Sequence, residues 1–99
     1  MKIEFDPDKD EKNVKKHGLS LNRFVELDLL SGIIEPDARR DYGEERYLAL
    51  ALLAGRLHAA CFCIPGDAFR VISLRKASDR EVRRYERAQA EKAAKAADR

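Results

Sequence analysis

Phe69-Arg-Val-Ile-Ser-Leu-Arg-Lys-Ala-Ser-Asp-Arg-Glu-Val-Arg-Arg-Tyr-Glu-Arg87 is the stretch whose reading decides the fold. Phe69, Val71, Ser73 and Arg75 alternate with Arg70, Ile72 and Leu74, a period of two that predicts a strand with Arg75 on the face of Val71 and Ser73. A helix follows at once. Ser78 with Glu81 three residues on has the form of a capping box, in which each side chain satisfies a backbone N–H left open at the helix start. At about 100° per residue, Arg80, Arg83, Arg84 and Arg87 share one face of that helix, and Val82, Tyr85 and Gln89 share the opposite one.

Charge is concentrated in the same unit. Arg70, Arg75, Lys76, Arg80, Arg83, Arg84 and Arg87 outweigh Asp79, Glu81 and Glu86, whereas residues 1–69 carry more acidic than basic side chains. The net charge is only +2, so a strand and helix that collect the positive charge can attract phosphate there without the chain being basic elsewhere. With 99 residues the chain has room for one domain, read as 1–99 with 88–99 as a solvated helical extension. The N-terminus, Met-Lys-Ile-Glu-Phe-Asp-Pro, has no apolar core of a leader, and the apolar run from Tyr47 to Ala54 is too short to span a bilayer. A cytoplasmic protein without membrane insertion is expected. Cys61 and Cys63, two apart in a strand-like run, point to one face and are poorly placed to bridge each other, so buried, reduced thiols are expected.

Upstream, Ile3 and Phe5 mark a short strand, and Asp6-Pro7 starts a helix that Gly18 stops. Its inward stripe would be Asp10, Asn13, Val14 and His17, polar groups in need of partners. Ser20 caps a second helix carrying Leu21, Phe24, Val25 and Leu29, with Gly32 as its end. Ile33-Ile34-Glu35 predicts a strand stopped by Pro36-Asp37, and Ala38 to Glu44 a hairpin connection. Arg46 to Ala54 and Leu57 to Ile64 predict two strands about Gly55. The expectation is therefore an α+β fold: a small antiparallel sheet of about four to five strands, two N-terminal helices and one C-terminal helix. The helices would cover one sheet face and leave the other as a working surface.

Phe5-Asp6, Lys9, Asn13, Lys16-His17-Gly18, Gly43-Glu44-Glu45-Arg46, Arg70-Val71-Ile72-Ser73-Leu74-Arg75-Lys76-Ala77, Glu81 and Tyr85, in this order and spacing, resemble the BrnT family. The family often has Trp where Phe5 stands and Ala where Leu74 stands. These are toxins of type II toxin-antitoxin modules with a RelE-like ribonuclease fold. The resemblance implies an endoribonuclease that blocks translation by cutting mRNA, on the ribosome or off it. A cognate BrnA-type antitoxin, which also binds the operator DNA, would neutralise it.

RNA cleavage of this kind needs a deprotonated ribose 2′-OH, a stabilised phosphorane and a protonated 5′ oxygen, and His, Lys, Arg, Glu or Tyr can supply these without a cofactor. Arg75, with a planar fork suited to phosphate, is the first candidate for stabilising charge, assisted by Lys76; pairing with Glu81 is its structural alternative. His17 and Glu45 are the candidates for proton transfer, His17 having an ordinary pKa near neutrality. Glu45 and Arg46 begin a strand and are expected near Arg75. Helical geometry packs Tyr85 on the sheet, although RelE-like folds sometimes bring a tyrosine of this helix to the site. Arg70, Arg80, Arg83, Arg84 and Arg87 are the candidate RNA-binding residues. His58, Cys61 and Cys63 have zinc-ligand chemistry but no fourth partner, and no metal is expected. Two other readings use the same residues: a non-catalytic RNA- or ribosome-binding module, and the antitoxin-binding domain of an inactivated toxin.

Overall fold

At the N-terminus, Asp6 accepts a hydrogen bond from the Asp8 N–H at 2.8 Å, and Pro7 takes the first helical position, so helix α1 runs Pro7–His17. Gly18 ends it in the left-handed conformation at φ 72° and returns its N–H to the Val14 carbonyl, the stop expected of glycine. The computed structural model describes residues 1–39 and 41–97. Strand β1 (Ile3–Glu4) precedes α1; a short 3-10 helix (Leu21–Glu26), strands β2 (Asp28–Pro36), β3 (Tyr47–Leu53), β4 (Arg56–Cys63) and β5 (Phe69–Lys76), and helix α2 (Asp79–Ala97) follow.

The strands form one five-stranded sheet in the order β1-β5-β4-β3-β2. All neighbours are antiparallel except β1, which runs parallel to β5 through Ile3 opposite Phe69 and Glu4 opposite Arg70. The sheet is thus mixed, not antiparallel. A two-residue crossover strand can be parallel here because α1 and the remaining strands lie between β1 and β5 in sequence, the length a parallel connection requires.

The second helix is shorter than its pattern suggests. Ser20 does cap it, accepting from the Asn22 N–H at 3.2 Å, but it is a single 3-10 segment, and the chain from Asp28 onward is already strand. Gly32 does not stop a helix. A Cβ on it would lie 2.6 Å from the Leu50 carbonyl oxygen, so glycine is needed where β2 approaches β3, next to the register irregularity between Asp28 and Ile33. The β3–β4 hairpin closes as expected, in a two-residue turn with positive φ at Ala54 and Gly55.

Alternation along β3 and β4 divides the core. Ala49, Ala51, Leu53, Ala60 and Phe62 meet Leu19, Leu21, Phe24 and Leu27 on one face. Phe24, Phe62 and Phe69 hold ring centroids 5.4–5.6 Å apart there; such contacts each add about 0.5–1.5 kcal/mol beyond the area they bury. Leu50, Leu57 and Ala59 face the other way, against Val82 and Tyr85 of α2. The 3-10 helix therefore covers one face and α2 part of the other, where Cys61 and Cys63 are buried as well.

Candidate RNA-binding groove

β5 breaks the alternation predicted for it. Ser73 lies opposite Cys61, but Val71 lies opposite Phe62, so Ile72 is an extra residue between them. This bulge reverses the faces. Phe69, Val71 and Leu74 all belong to the aromatic core, while Ser73 and Arg75 follow Cys61 and Ala59 onto the face of α2. Arg75 thus shares a face with Ser73, as predicted, and not with Val71. Lys76, opposite His58, points to the other side from Arg75 and is exposed; the two cannot serve one phosphate as neighbours on a strand.

The outer edge of β5 is covered by β1 only as far as Arg70. Beyond it α1 takes over. The buried side-chain amide of Asn13 donates to the Leu74 carbonyl at 2.9 Å and to the Leu19 carbonyl at 2.8 Å, and its oxygen accepts from the Leu74 N–H at 3.2 Å. Asp10, one turn earlier, accepts from the Leu21 N–H and the Ser20 hydroxyl. Of the predicted inward stripe, Asn13 is buried, Asp10 and His17 are half-buried, and Val14 is exposed.

With α1 fixed along this edge, Lys9, Lys12, Asn13, Lys16 and His17 project on one side of the helix. Together with Arg46, Ile72 and Ser73 they line an open groove of about 360 Å³. A second hollow of about 390 Å³ continues past Lys9, Arg46 and Ile72 toward Arg70, and brings Glu4, Asp6 and Glu44 to its walls. The charged side chains lining the first are all basic and suit an anionic polymer; the second is mixed in charge, so the first carries more weight for recognition.

His17 has its pKa lowered by burial first, then by the charges of Lys16 and Arg75. Both cations disfavour a second positive charge on the ring. Arg75 grips Glu81 with two N–H groups, at 2.7 and 3.0 Å, and that pair is the structural alternative considered for it. Glu81 also accepts from the Ser78 N–H at 2.8 Å, and the Ser78 hydroxyl accepts from the Glu81 N–H at 3.2 Å, so the capping box is present as predicted. These donors hold the Glu81 carboxyl at about 2, with Arg75 the largest cause. Glu81 is therefore too weak a base to take a proton from a sugar hydroxyl. It serves instead to aim Arg75, whose side chain remains 31% exposed.

Arg46 enters the groove from the β2–β3 connection, held by Glu44 at 3.2 Å and lying 4.0 Å over the Tyr42 ring. Glu45 does not join it; it is exposed and accepts from the Tyr47 hydroxyl at 3.2 Å. Tyr47 belongs with the aromatic core, on the other face of the sheet. Tyr85 packs against the Leu50 cluster. Arg70 pairs with Glu4 at 3.4 Å, and Arg84 with Glu35 on β2 at 2.7 Å; Arg80, Arg83 and Arg87 have no ion pair among the described residues.

Asp37 and Arg39 were not singled out from the sequence. Pro36-Asp37 signals only a turn, and an Asp two residues before an Arg is too common to point to an arranged pair. In the structure Asp37 is buried, its carboxyl held at about 2 chiefly by Arg39, beside Cys61. Cys61 and Cys63 are buried free thiols whose pKa values are raised, first by burial. Among the described residues no group of His, Cys, Asp and Glu is arranged to hold a metal ion, and no helix is long and apolar enough to cross a membrane.

No curated protein matches the chain. Residues 5–81, from Phe5 through Glu81 and so including α1, the groove and Arg75, match the sequence model of the family described as "Ribonuclease toxin, BrnT, of type II toxin-antitoxin system". The chain belongs to the BrnT family of ribonuclease toxins.

Proposed function

We propose that the chain cleaves single-stranded RNA laid across the groove between α1 and the β5 edge, by acid-base chemistry of its own side chains. The observation that carries this reading is a half-buried imidazole, His17, in a groove lined by Lys9, Lys12 and Arg46, its pKa lowered by burial and by the charges of Lys16 and Arg75. A neutral imidazole can take the proton of the ribose 2′-OH. The 2′ oxygen then attacks the adjacent phosphorus, and Arg75 and Arg46 balance the charge of the phosphorane. The bond to the 5′ oxygen breaks, and ammonium groups lining the groove can supply the proton that this oxygen needs. The products are a 2′,3′-cyclic phosphate and a 5′-hydroxyl.

Lys76, Glu45 and Tyr85 take no direct part in this scheme, because each faces away from the groove or is committed elsewhere. Arg70 extends the positive surface at one end, and Arg80, Arg83 and Arg87 hold flanking phosphates. In its module the toxin lowers translation by removing mRNA, and a BrnA-type antitoxin silences it. Induced expression tests the reading: wild-type protein is expected to arrest growth, coexpressed antitoxin to relieve the arrest, and His17→Asn to grow normally while accumulating as folded protein. Arrest by His17→Asn equal to that of wild type would remove His17 from the mechanism.

A further inference from the structure

Asp37 has a side chain only 2% exposed, and a carboxylate so placed is costly unless its oxygens are met. They are met by Arg39 Nε at 2.7 Å and Nη2 at 2.8 Å, by the Arg39 N–H at 3.4 Å, by the Tyr42 hydroxyl at 3.4 Å and by the Cys61 thiol at 3.6 Å. Arg39 itself is 65% exposed. Its fork is gripped from beneath by a buried carboxylate while the remaining N–H groups face solvent. Arg75 is built the same way, its fork held by Glu81.

Arg39 lies on the β2–β3 connection, and Asp37 ties it to the sheet face that carries Arg75. Cys61 stands opposite Ser73 and Ala59 opposite Arg75, so Cys61, bonded to Asp37, is a diagonal neighbour of Arg75. The positive charge of Arg39 is felt at Arg75. Neighbouring guanidinium groups repel unless an anion joins them, and two forks fixed by separate carboxylates are arranged for a phosphate.

We propose that Arg39 is a second phosphate-binding residue of the RNA groove, that Asp37 is the positioning residue that aims it, and that Arg39 and Arg75 together clamp the RNA backbone. This rests on the reading that RNA occupies the groove, and adds to it the residue pair that fixes the strand.

The test uses the full chain and a labelled single-stranded 2′-O-methyl RNA of mixed sequence, which cannot be cleaved because its 2′ oxygens are blocked. Arg39→Ala is expected to weaken binding roughly tenfold or more and to reduce the salt slope by about 0.7. Arg39→Lys is expected to keep the slope and still bind more weakly than wild type, since an ammonium cannot reproduce the held fork. Asp37→Asn separates aim from charge. It adds one unit of positive charge, so electrostatics alone would tighten binding, whereas loss of aim weakens it. Unchanged affinity in Arg39→Ala, full rescue by lysine, or tighter binding by Asp37→Asn would each overturn the proposal. Should Asp37→Asn fail to fold, the alanine and lysine variants decide. Cleavable RNA distinguishes the two readings. Intact RNA with Arg39-sensitive binding would sink the ribonuclease mechanism alone; cleavage indifferent to Arg39 would sink the clamp alone.

Discussion

Asn13 completes the edge of the sheet at Leu74: one side-chain amide, reaching from α1, takes both the N–H and the carbonyl that β5 turns away from β4. It does for the strand what a sixth strand would do, and also satisfies the Leu19 carbonyl beyond the end of α1. Asn13→Leu keeps similar bulk but leaves three buried backbone groups unpartnered. A loss of roughly 2–4 kcal/mol is expected from such groups, measured by urea denaturation. Asn13→Asp should fare little better, because a carboxylate would face two carbonyl oxygens. Because His17 is one turn further along the same helix, surviving Asn13 variants should also lose activity out of proportion to their loss of folded protein.

Acid should undo the Arg75–Glu81 pair in a definite window. An unfolded Glu titrates near 4.3, and in the fold Glu81 is held at about 2. A depressed carboxylate stabilises fully above its unfolded value and loses that contribution as pH falls through the folded one. Glu81→Gln is therefore expected to cost about 1–3 kcal/mol at neutral pH. The difference from wild type should shrink steadily below about pH 4. Chemical denaturation at a series of pH values reads it, and a difference constant down to pH 2 would contradict the assignment.

In the proposed mechanism the pH dependence of cleavage follows from His17. As a base it must be neutral, so activity rises with pH through its pKa, and burial with Lys16 and Arg75 places that rise below 6.5. Lys16→Gln removes one of the cations holding the value down. The acid limb should move to higher pH, toward the ordinary value, in a pH profile of kcat/KM. A limb that moved the other way, or stayed in place, would mean that another group titrates.

In the hairpin turn, Ala54 sits at φ 50°, a left-handed conformation unfavourable for a residue with a Cβ. Ala54→Gly or Ala54→Asn should raise stability by about 1 kcal/mol and leave cleavage unchanged, since the turn joins β3 and β4 away from the groove. Differential scanning calorimetry checks the first expectation and an RNA-cleavage assay the second.

Local chemistry was legible where one short segment decides the outcome. Asp6-Pro7, Gly18, the Ser78–Glu81 box and the turn at Gly55 signal their elements through caps and φ preferences, and all four form. What the sequence hid is decided between segments. Gly32 looks like a helix stop until β3 approaches within contact of it. Ile72 fits a regular strand until the pairing with β4 makes it a bulge and puts Val71 on the face opposite Ser73 and Arg75. Parallel pairing of β1 is equally invisible in two residues. For the candidate site, His17 and Arg46 in the groove and Arg75 beside it could be named from their chemistry. Lys9 and Lys16 stood out only as parts of the family resemblance. Lys12 in the groove and the Asp37–Arg39 pair of the proposed clamp could not be found, because α1 lying along β5 places the first and a buried carboxylate beneath an ordinary loop holds the second.

The chemistry of the RNA ends tests the mechanism most directly. Purified protein and its His17→Asn and Arg75→Ala variants would be incubated with defined single-stranded RNA, and the termini mapped. Cleavage by wild type alone, leaving 2′,3′-cyclic phosphate and 5′-hydroxyl ends, with both variants folded but at least a hundredfold slower, on the order of general-base catalysis, is the expected result. Ends bearing 5′-phosphate, or a His17→Asn variant as fast as wild type, would contradict a groove in which His17 starts the reaction.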